Sequence, residues 1–278
     1  MQLQRPESVE AAVAALGDGA VALAGGTELV PLLRDGLAAA ETLVWIRDAV
    51  PRGVEAGRIG AGATLAELET SETVPQALRE ACRLAASPQI RAMSTIGGNL
   101  LQATRCWYWR LKFPCALHGG DRCHAREGEH REHAILGNGY CASAHPSDPA
   151  AALLALGATV VTDRRRFPVA ELYRLPSQED RRLTTLEPGE LLLELEVPEP
   201  ESSTYLKAMD RQRFAFAIVG VAAARFPEGT RIALAGAAPV PWLLDSPDAL
   251  SASTPLPGTA YKVELAQALV RRALDALA

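Results

Sequence analysis

The sequence lacks the features of a membrane or exported protein. No stretch reaches the roughly 18–20 consecutive apolar residues that a membrane-spanning helix needs. The first residues, Met1 to Pro6, lack the charged and then apolar pattern of an export signal. We therefore expect no membrane span and a cytoplasmic protein, which a partner subunit with its own signal could still carry to the periplasm.

The sequence also lacks an excess of basic charge. Its 28 lysines and arginines are outnumbered by 33 acidic residues, giving a net charge of −5. Nucleic-acid-binding proteins usually carry a basic patch, so this class is not expected. The 278 residues, 48% of them hydrophobic, are enough for a sizeable core in one large domain or in two to three small ones.

Cysteine and histidine are scarce and unevenly distributed. Residues 1–117 contain no histidine, and all five histidines lie between residues 94 and 148. The same segment holds four of the five cysteines, Cys106, Cys115, Cys123 and Cys141. The remaining one, Cys82, lies within a predicted apolar helix and is expected to be a buried core residue.

The spacing of the four clustered cysteines excludes the usual zinc knuckle. Eight, seven and seventeen residues separate them, whereas zinc fingers pair their ligands two to four residues apart. An odd cysteine number in a long chain also argues against a disulfide framework. A [4Fe–4S] cluster takes four cysteines. From the residues alone, a cluster, a zinc ion and unliganded thiols all remain open.

A βαβ unit is predicted near the N-terminus. Val21–Ala24 and Leu43–Ile46 are short apolar strands, and residues 28–35 between them are predicted to be helical. The turn Gly25-Gly26-Thr27 lets backbone N–H groups approach a ligand, which suits a pyrophosphate. A plain tight turn explains two glycines equally well, and the full GxGxxG fingerprint is absent.

The rest of the chain alternates between helix and strand patterns. Thr64 and Glu67 form a predicted capping box. Further helices are predicted at 74–86, 150–156 and 263–277, and strands at 58–64, 158–162, 190–198 and 231–236. Residues 204–209 and 218–224 are predicted to form strand or helix pieces.

Three motifs in a fixed order carry a resemblance to a known family. They are Ala-Gly-Gly-Thr-Glu-Leu at 24–29, Thr-Ile-Gly-Gly-Asn at 95–99 and His-Pro-Ser-Asp at 145–148. With Tyr-Leu-Lys at 205–207 and the segment 232–239, they span nearly the whole chain. The sequence resembles the FAD-binding (medium) subunit of molybdenum hydroxylases of the xanthine dehydrogenase/CO dehydrogenase class.

The segment Arg-Cys-Trp-Tyr at 105–108 resembles one branch of that family. This branch includes the flavin subunits of aldehyde oxidoreductase and of 4-hydroxybenzoyl-CoA reductase, the former being the closer match. The resemblance implies an additional [4Fe–4S] cluster, with Cys106, Cys115, Cys123 and Cys141 as its ligands.

The resemblance also implies a fold and a flavin site. The implied fold is α+β: a two-part FAD-binding fold followed by a C-terminal α+β domain. The expected domains are residues 1–55, residues 56–175 with a cluster loop at 104–142, and residues 176–278. The implied FAD contacts are Leu23, Ala24, Gly25, Gly26, Thr27, Glu28, Leu29, Thr95, Gly97, Gly98, Asn99, Ser147, Asp148, Leu192 and Lys207.

The implied function is electron transfer within a complex. A large molybdenum–pterin subunit would carry out the substrate chemistry, and a small [2Fe–2S] subunit would deliver electrons to FAD in this chain. An external acceptor would then receive them. One alternative is a stand-alone flavin oxidoreductase, which the absence of histidine from residues 1–117 disfavours. Another is a zinc-stapled assembly subunit without flavin.

Overall fold

The computed structural model describes residues 1–211 and 214–278, whose strands form three sheets. The first sheet has the order β1-β3-β2, with both neighbouring pairs parallel. Its elements in chain order are β1 (Gln2–Gln4), α1 (Val9–Ala15), β2 (Ala20–Leu23), α2 (Leu29–Arg34) and β3 (Thr42–Trp45). The predicted βαβ unit is confirmed, since β2 pairs in parallel with β3 across α2.

The second sheet is antiparallel, with the order β4-β5-β8-β6-β7. Its strands are β4 (Val54–Glu55), β5 (Arg58–Gly60), β6 (Thr159–Thr162), β7 (Arg166–Pro168) and β8 (Leu192–Glu196). The helices between β5 and β6 are α3 (Leu65–Thr70), α4 (Gln76–Leu84), α5 (Pro88–Met93), α6 (Ile96–Leu100), α7 (Trp107–Arg110) and α8 (Asp148–Leu156).

Local capping chemistry starts helix α3 as the sequence predicts. The Thr64 hydroxyl accepts a bond from the Glu67 N–H at 3.2 Å, and the Glu67 carboxylate accepts one from the Thr64 N–H at 2.6 Å. This reciprocal capping box satisfies two N–H groups that a helix start leaves unpaired. Cys82 in α4 is fully buried, as expected of a core residue.

The third sheet is an antiparallel meander with the order β12-β11-β10-β9. It consists of β9 (Ser202–Ala208), β10 (Val219–Phe226), β11 (Gly229–Ala235) and β12 (Trp242–Leu244), and α9 (Tyr261–Asp275) packs against it. Helix α8 also packs on β10 and β11, and all of its residues are buried. One continuous core therefore joins the second and third sheets.

The last strand of the second sheet lies beyond residue 176, where the third domain was predicted to begin. Strand β8 lies beyond that boundary, yet it pairs with β5 and β6 in the second sheet. Leu192 and Leu195, on β8, are buried in the same core as Ile59 on β5. The pattern of apolar residues identified a strand here but could not identify its partners. The third sheet begins with β9, at Ser202.

Residues 104–142, which we call the cysteine loop, lie between α6 and α8 and contain α7. Its far end is embedded in the core of the third sheet, where Ile135 and Leu136 are buried. The fully buried Lys262 of α9 donates to the carbonyl oxygens of His133 at 2.9 Å and Gly236 at 2.6 Å. Within the described residues, 1–211 and 214–278, no helix is long and apolar enough to cross a membrane.

Candidate cofactor site

A cavity of about 300 Å³ lies between the β2–α2 turn and helix α6. Ten of the residues predicted to contact FAD line it: Ala24, Gly25, Gly26, Thr27, Glu28, Leu29, Thr95, Gly97, Gly98 and Leu192. They come from the first two sheets and their helices. The structure thus brings together the two glycine motifs, which are about 70 residues apart in the sequence.

The β2–α2 turn forms the first wall of the cavity and leaves its backbone donors unused. In the described part of the chain, the N–H groups from Gly25 to Leu29 have no protein acceptor. Gly26 has a φ of +71°, which favours glycine. A methyl group on Gly25 would lie 1.9 Å from the Met93 carbonyl oxygen. Only a glycine therefore lets this turn pack against the end of α5.

Helix α6 forms the second wall. The Thr95 side chain caps it by accepting a bond from the Gly98 N–H at 3.2 Å. Gly97 packs against the backbone of Ala61, where an added methyl group would lie 3.0 Å from the Ala61 side chain. The lack of side chains on Gly97 and Gly98 keeps this wall flat and close to the second sheet.

The rest of the cavity lining was not predicted from the sequence. It is mostly apolar and consists of Val21, Ala22, Leu32, Ile46, Val50, Ala61, Leu101 and Leu191, together with Glu190. Burial alone would raise the pKa of Glu190, but bonds from Arg165, the Glu187 N–H and Thr162 lower it to about 2. Five of the eight apolar residues, Val21, Ala22, Ile46, Ala61 and Leu191, belong to strands that the sequence identified, but no motif marks them as cavity lining.

Five predicted FAD contacts are not among the described residues that line the cavity: Leu23, Asn99, Ser147, Asp148 and Lys207. Ser147 caps α8 by accepting a bond from the Ala150 N–H at 3.1 Å, and it donates to the Asn99 side chain at 2.6 Å. These partners give Asn99 and Ser147 a supporting role behind the second wall.

Asp148 and Lys207 form a buried ion pair at 2.7 Å. Tyr205 also donates to Asp148, at 2.5 Å, and Lys207 donates to the carbonyl oxygens of Leu84 and Ala215. Burial raises the pKa of the Asp148 carboxyl, which Lys207 and Tyr205 partly offset. The pair joins α8 to β9, which explains its charges without a cofactor. Leu192 reaches the cavity from the second sheet, not from the C-terminal domain as expected.

The four clustered cysteines surround one small cavity, which Tyr108, Trp109 and His124 also line. Cys115 and Cys141 are buried, while Cys106 and Cys123 are partly exposed. Hydrogen bonding between the sulfurs of Cys123 and Cys141 lowers the pKa of Cys123 and raises that of Cys141. Among the described residues, no group of three or more His, Cys, Asp or Glu side chains is arranged to hold a single metal ion.

Comparisons with known proteins agree with this architecture. The family described as "FAD binding domain in molybdopterin dehydrogenase" matches residues 1–200. The chain is 36% identical over 253 residues to the aldehyde oxidoreductase FAD-binding subunit PaoB of Escherichia coli K12, covering 83% of this chain and 79% of that protein. It is 43% identical over 106 residues to the carbon monoxide dehydrogenase medium chain of Afipia carboxidovorans, covering 34% and 37% of the two chains.

Solved structures extend the likeness to the full chain. A Cu,Mo-CO dehydrogenase in its cyanide-inactivated form matches with a TM-score of 0.69 at 26% identity, over 99% of this chain and 96% of that one. CO dehydrogenase from Hydrogenophaga pseudoflava matches with a TM-score of 0.70 at 25% identity and the same coverage. The chain therefore belongs to the family of FAD-binding domains in molybdopterin dehydrogenases.

Proposed function

We propose that this chain binds FAD in the cavity between the β2–α2 turn and α6, and that Cys106, Cys115, Cys123 and Cys141 hold a [4Fe–4S] cluster. As a member of its family, the chain is a flavin-containing oxidoreductase subunit of a molybdenum hydroxylase. The 36% identity to PaoB favours a complex of the aldehyde oxidoreductase type.

The row of unused N–H groups from Gly25 to Leu29 is the observation that carries the flavin site. A pyrophosphate is an anion that needs several donors, and backbone N–H groups in a glycine turn provide them without a side chain in the way. The apolar part of the same cavity lining suits a planar ring system. Thr95, Gly97 and Gly98 close the opposite side.

Bound FAD would let the complex exchange electrons in pairs or singly, and the protein supplies its position and surroundings. The large molybdenum–pterin subunit carries out the substrate chemistry. Electrons enter this chain from the small [2Fe–2S] subunit and leave to an external acceptor. The residues of the cavity would act by binding and orientation: the turn would hold the phosphates, and the two walls would exclude water.

The convergence of four cysteines on one cavity supports the cluster. They come from separate parts of a long loop, and the fold places all four around the same small cavity. Zinc knuckles pair their ligands two to four residues apart, and the four cysteines lack that spacing. A four-iron cluster is bulkier and takes four cysteines, all of which must lose their protons to bind it.

Anaerobic purification followed by absorption spectroscopy and metal analysis tests both parts. The expected protein shows flavin bands with a broad iron–sulfur shoulder and contains iron and sulfide. Replacing Cys123 with Ser should remove the shoulder and leave FAD bound, whereas the control Cys82→Ala should keep both. A colourless protein containing zinc would refute the proposal in favour of an assembly subunit. Flavin without iron would refute the cluster alone. Fractionation of the producing cells tests the expected cytoplasmic location.

A further inference from the structure

Glu28 lies in the turn that forms the first wall of the cavity, but its carboxylate is bound to the cysteine loop. We propose that Glu28 is a positioning residue that couples nucleotide binding in the cavity to the order of the cysteine loop. The proposal rests on the proposed FAD site and does not depend on the cluster.

Both carboxylate oxygens of Glu28 face residues at or near the start of the loop. Oε1 accepts bonds from the Ala103 N–H at 3.1 Å and from the Arg110 guanidinium at 2.6 Å. Oε2 is buried and lies 2.7 Å from the Arg105 guanidinium, an ion pair without a hydrogen bond among the described residues. The carboxylate is therefore directed at the loop, and the backbone of Glu28 faces the cavity.

Further hydrogen bonds connect Arg105 to α6, the second wall of the cavity. Arg105 donates to the Gln102 side chain at 2.8 Å, and Gln102 donates to the Asn99 carbonyl oxygen at 2.9 Å. Asn99 belongs to α6 and also accepts the bond from Ser147, which precedes α8. A continuous path of polar contacts thus runs from the first wall, through the loop entrance, to the second wall.

Burial makes this path stiff. The side chains of Glu28 and Arg110 are 16% and 18% exposed, and that of Arg105 is 31% exposed. Two guanidinium groups share one carboxylate, so the cluster keeps a net positive charge, and removal of the carboxylate would leave both cations without their partner. Ligand binding that fixes the turn must therefore also fix residues 103–110. By thermodynamic linkage, ordering of the loop must equally favour ligand binding.

Hydrogen–deuterium exchange of the full chain, with FAD removed and then restored, tests the coupling. In the unaltered chain, FAD should slow exchange in peptides covering 23–35, which contact it. It should also slow exchange in peptides covering 103–113, by roughly 5–150-fold, the usual range for coupled sites. In Glu28→Gln, the protection of 23–35 should remain and that of 103–113 should be lost.

Two further variants distinguish the positioning role of Glu28 from a nonspecific effect of removing a buried carboxylate. Glu69→Gln is the matched control, because Glu69 pairs with Arg91 at 3.1 Å with the same 16% exposure, away from the loop. It should behave like the unaltered chain. Arg105→Gln breaks the path from the loop side and should lose the same protection as Glu28→Gln.

Protection of 103–113 that persists in both Glu28→Gln and Arg105→Gln would overturn the coupling. No protection of 23–35 in the unaltered chain would overturn the proposed flavin site, and this inference with it. An iron-free chain that gives the expected exchange pattern supports the coupling while refuting only the cluster.

Discussion

Replacing Gly25 with Ala should weaken FAD binding more than any other single-methyl change in the two walls. The added methyl group would lie 1.9 Å from the Met93 carbonyl oxygen, a backbone atom that cannot rotate away. The turn and the end of α5 would have to separate by about 1 Å to reach a tolerable contact. By contrast, Gly97 and Gly98 have their nearest contacts at 3.0 Å.

The expected loss of FAD affinity follows from the N–H donors of the turn that the added methyl group displaces. Overpacking of this kind costs about 1–3 kcal/mol of folding free energy. Loss of one hydrogen bond to a charged phosphate costs a further ~1.5–3 kcal/mol of binding. The dissociation constant for FAD should therefore rise roughly 10–150-fold, since about 1.4 kcal/mol corresponds to a factor of ten.

Titration of the FAD-free chain with FAD, followed by flavin fluorescence, measures this constant. Thermal unfolding without FAD measures the stability term separately. Gly17→Ala is the matched control, because nothing lies within 4 Å of the methyl group it adds. If Gly25→Ala binds FAD as tightly as Gly17→Ala does, the turn is not the pyrophosphate wall and its free N–H groups do not bind the phosphates.

Other predictions concern the supporting residues. Lys207→Met should destabilise the chain by about 3–5 kcal/mol because it leaves Asp148 charged and buried, and adding Asp148→Asn should restore part of that loss in chemical denaturation. Thr95→Ala removes a helix cap beside the cavity, so we expect about 1 kcal/mol of lost stability and weaker FAD binding. Ser8→Ala, which removes the cap of α1, should lose similar stability and bind FAD normally. Burial lowers the pKa of His145 to about 3. Between about pH 6.5 and pH 3, His145 is therefore protonated in the unfolded chain and neutral in the folded chain. Stability should fall as pH drops from about 6.5 towards 3, by up to ~1.4 kcal/mol per pH unit. His145→Asn should flatten that slope, and an unchanged slope would contradict the assignment.

Local chemistry made much of the site predictable. The glycine turn at 25–26 and the capping box at Thr64 depend on residues within a few positions of one another. Their geometry could therefore be inferred without knowing the rest of the fold. The same holds for the βαβ unit, whose short apolar strands and intervening helix specify a parallel pair.

Long-range pairing could not be predicted in the same way. Asp148 and Lys207 are 59 residues apart, and nothing in either local sequence indicates that they meet in the core. A family motif suggested cofactor contacts, whereas the structure gives both residues protein partners. Strand β8 was recognised as a strand, but its place in the second sheet depends on packing against Ile59 and other distant residues. Glu190 was missed for the same reason.

The position of Lys262 sets an order of events during synthesis. Its ammonium group binds the carbonyl oxygen of His133, which precedes it by 129 residues. At typical translation rates of roughly 5–20 residues per second, α9 leaves the ribosome on the order of ten seconds after the cysteine loop. Until α9 docks, the carbonyl groups it covers stay exposed to water. The contact between the loop and Lys262 therefore forms only after α9 has been synthesised, so this part of the loop reaches its final shape late.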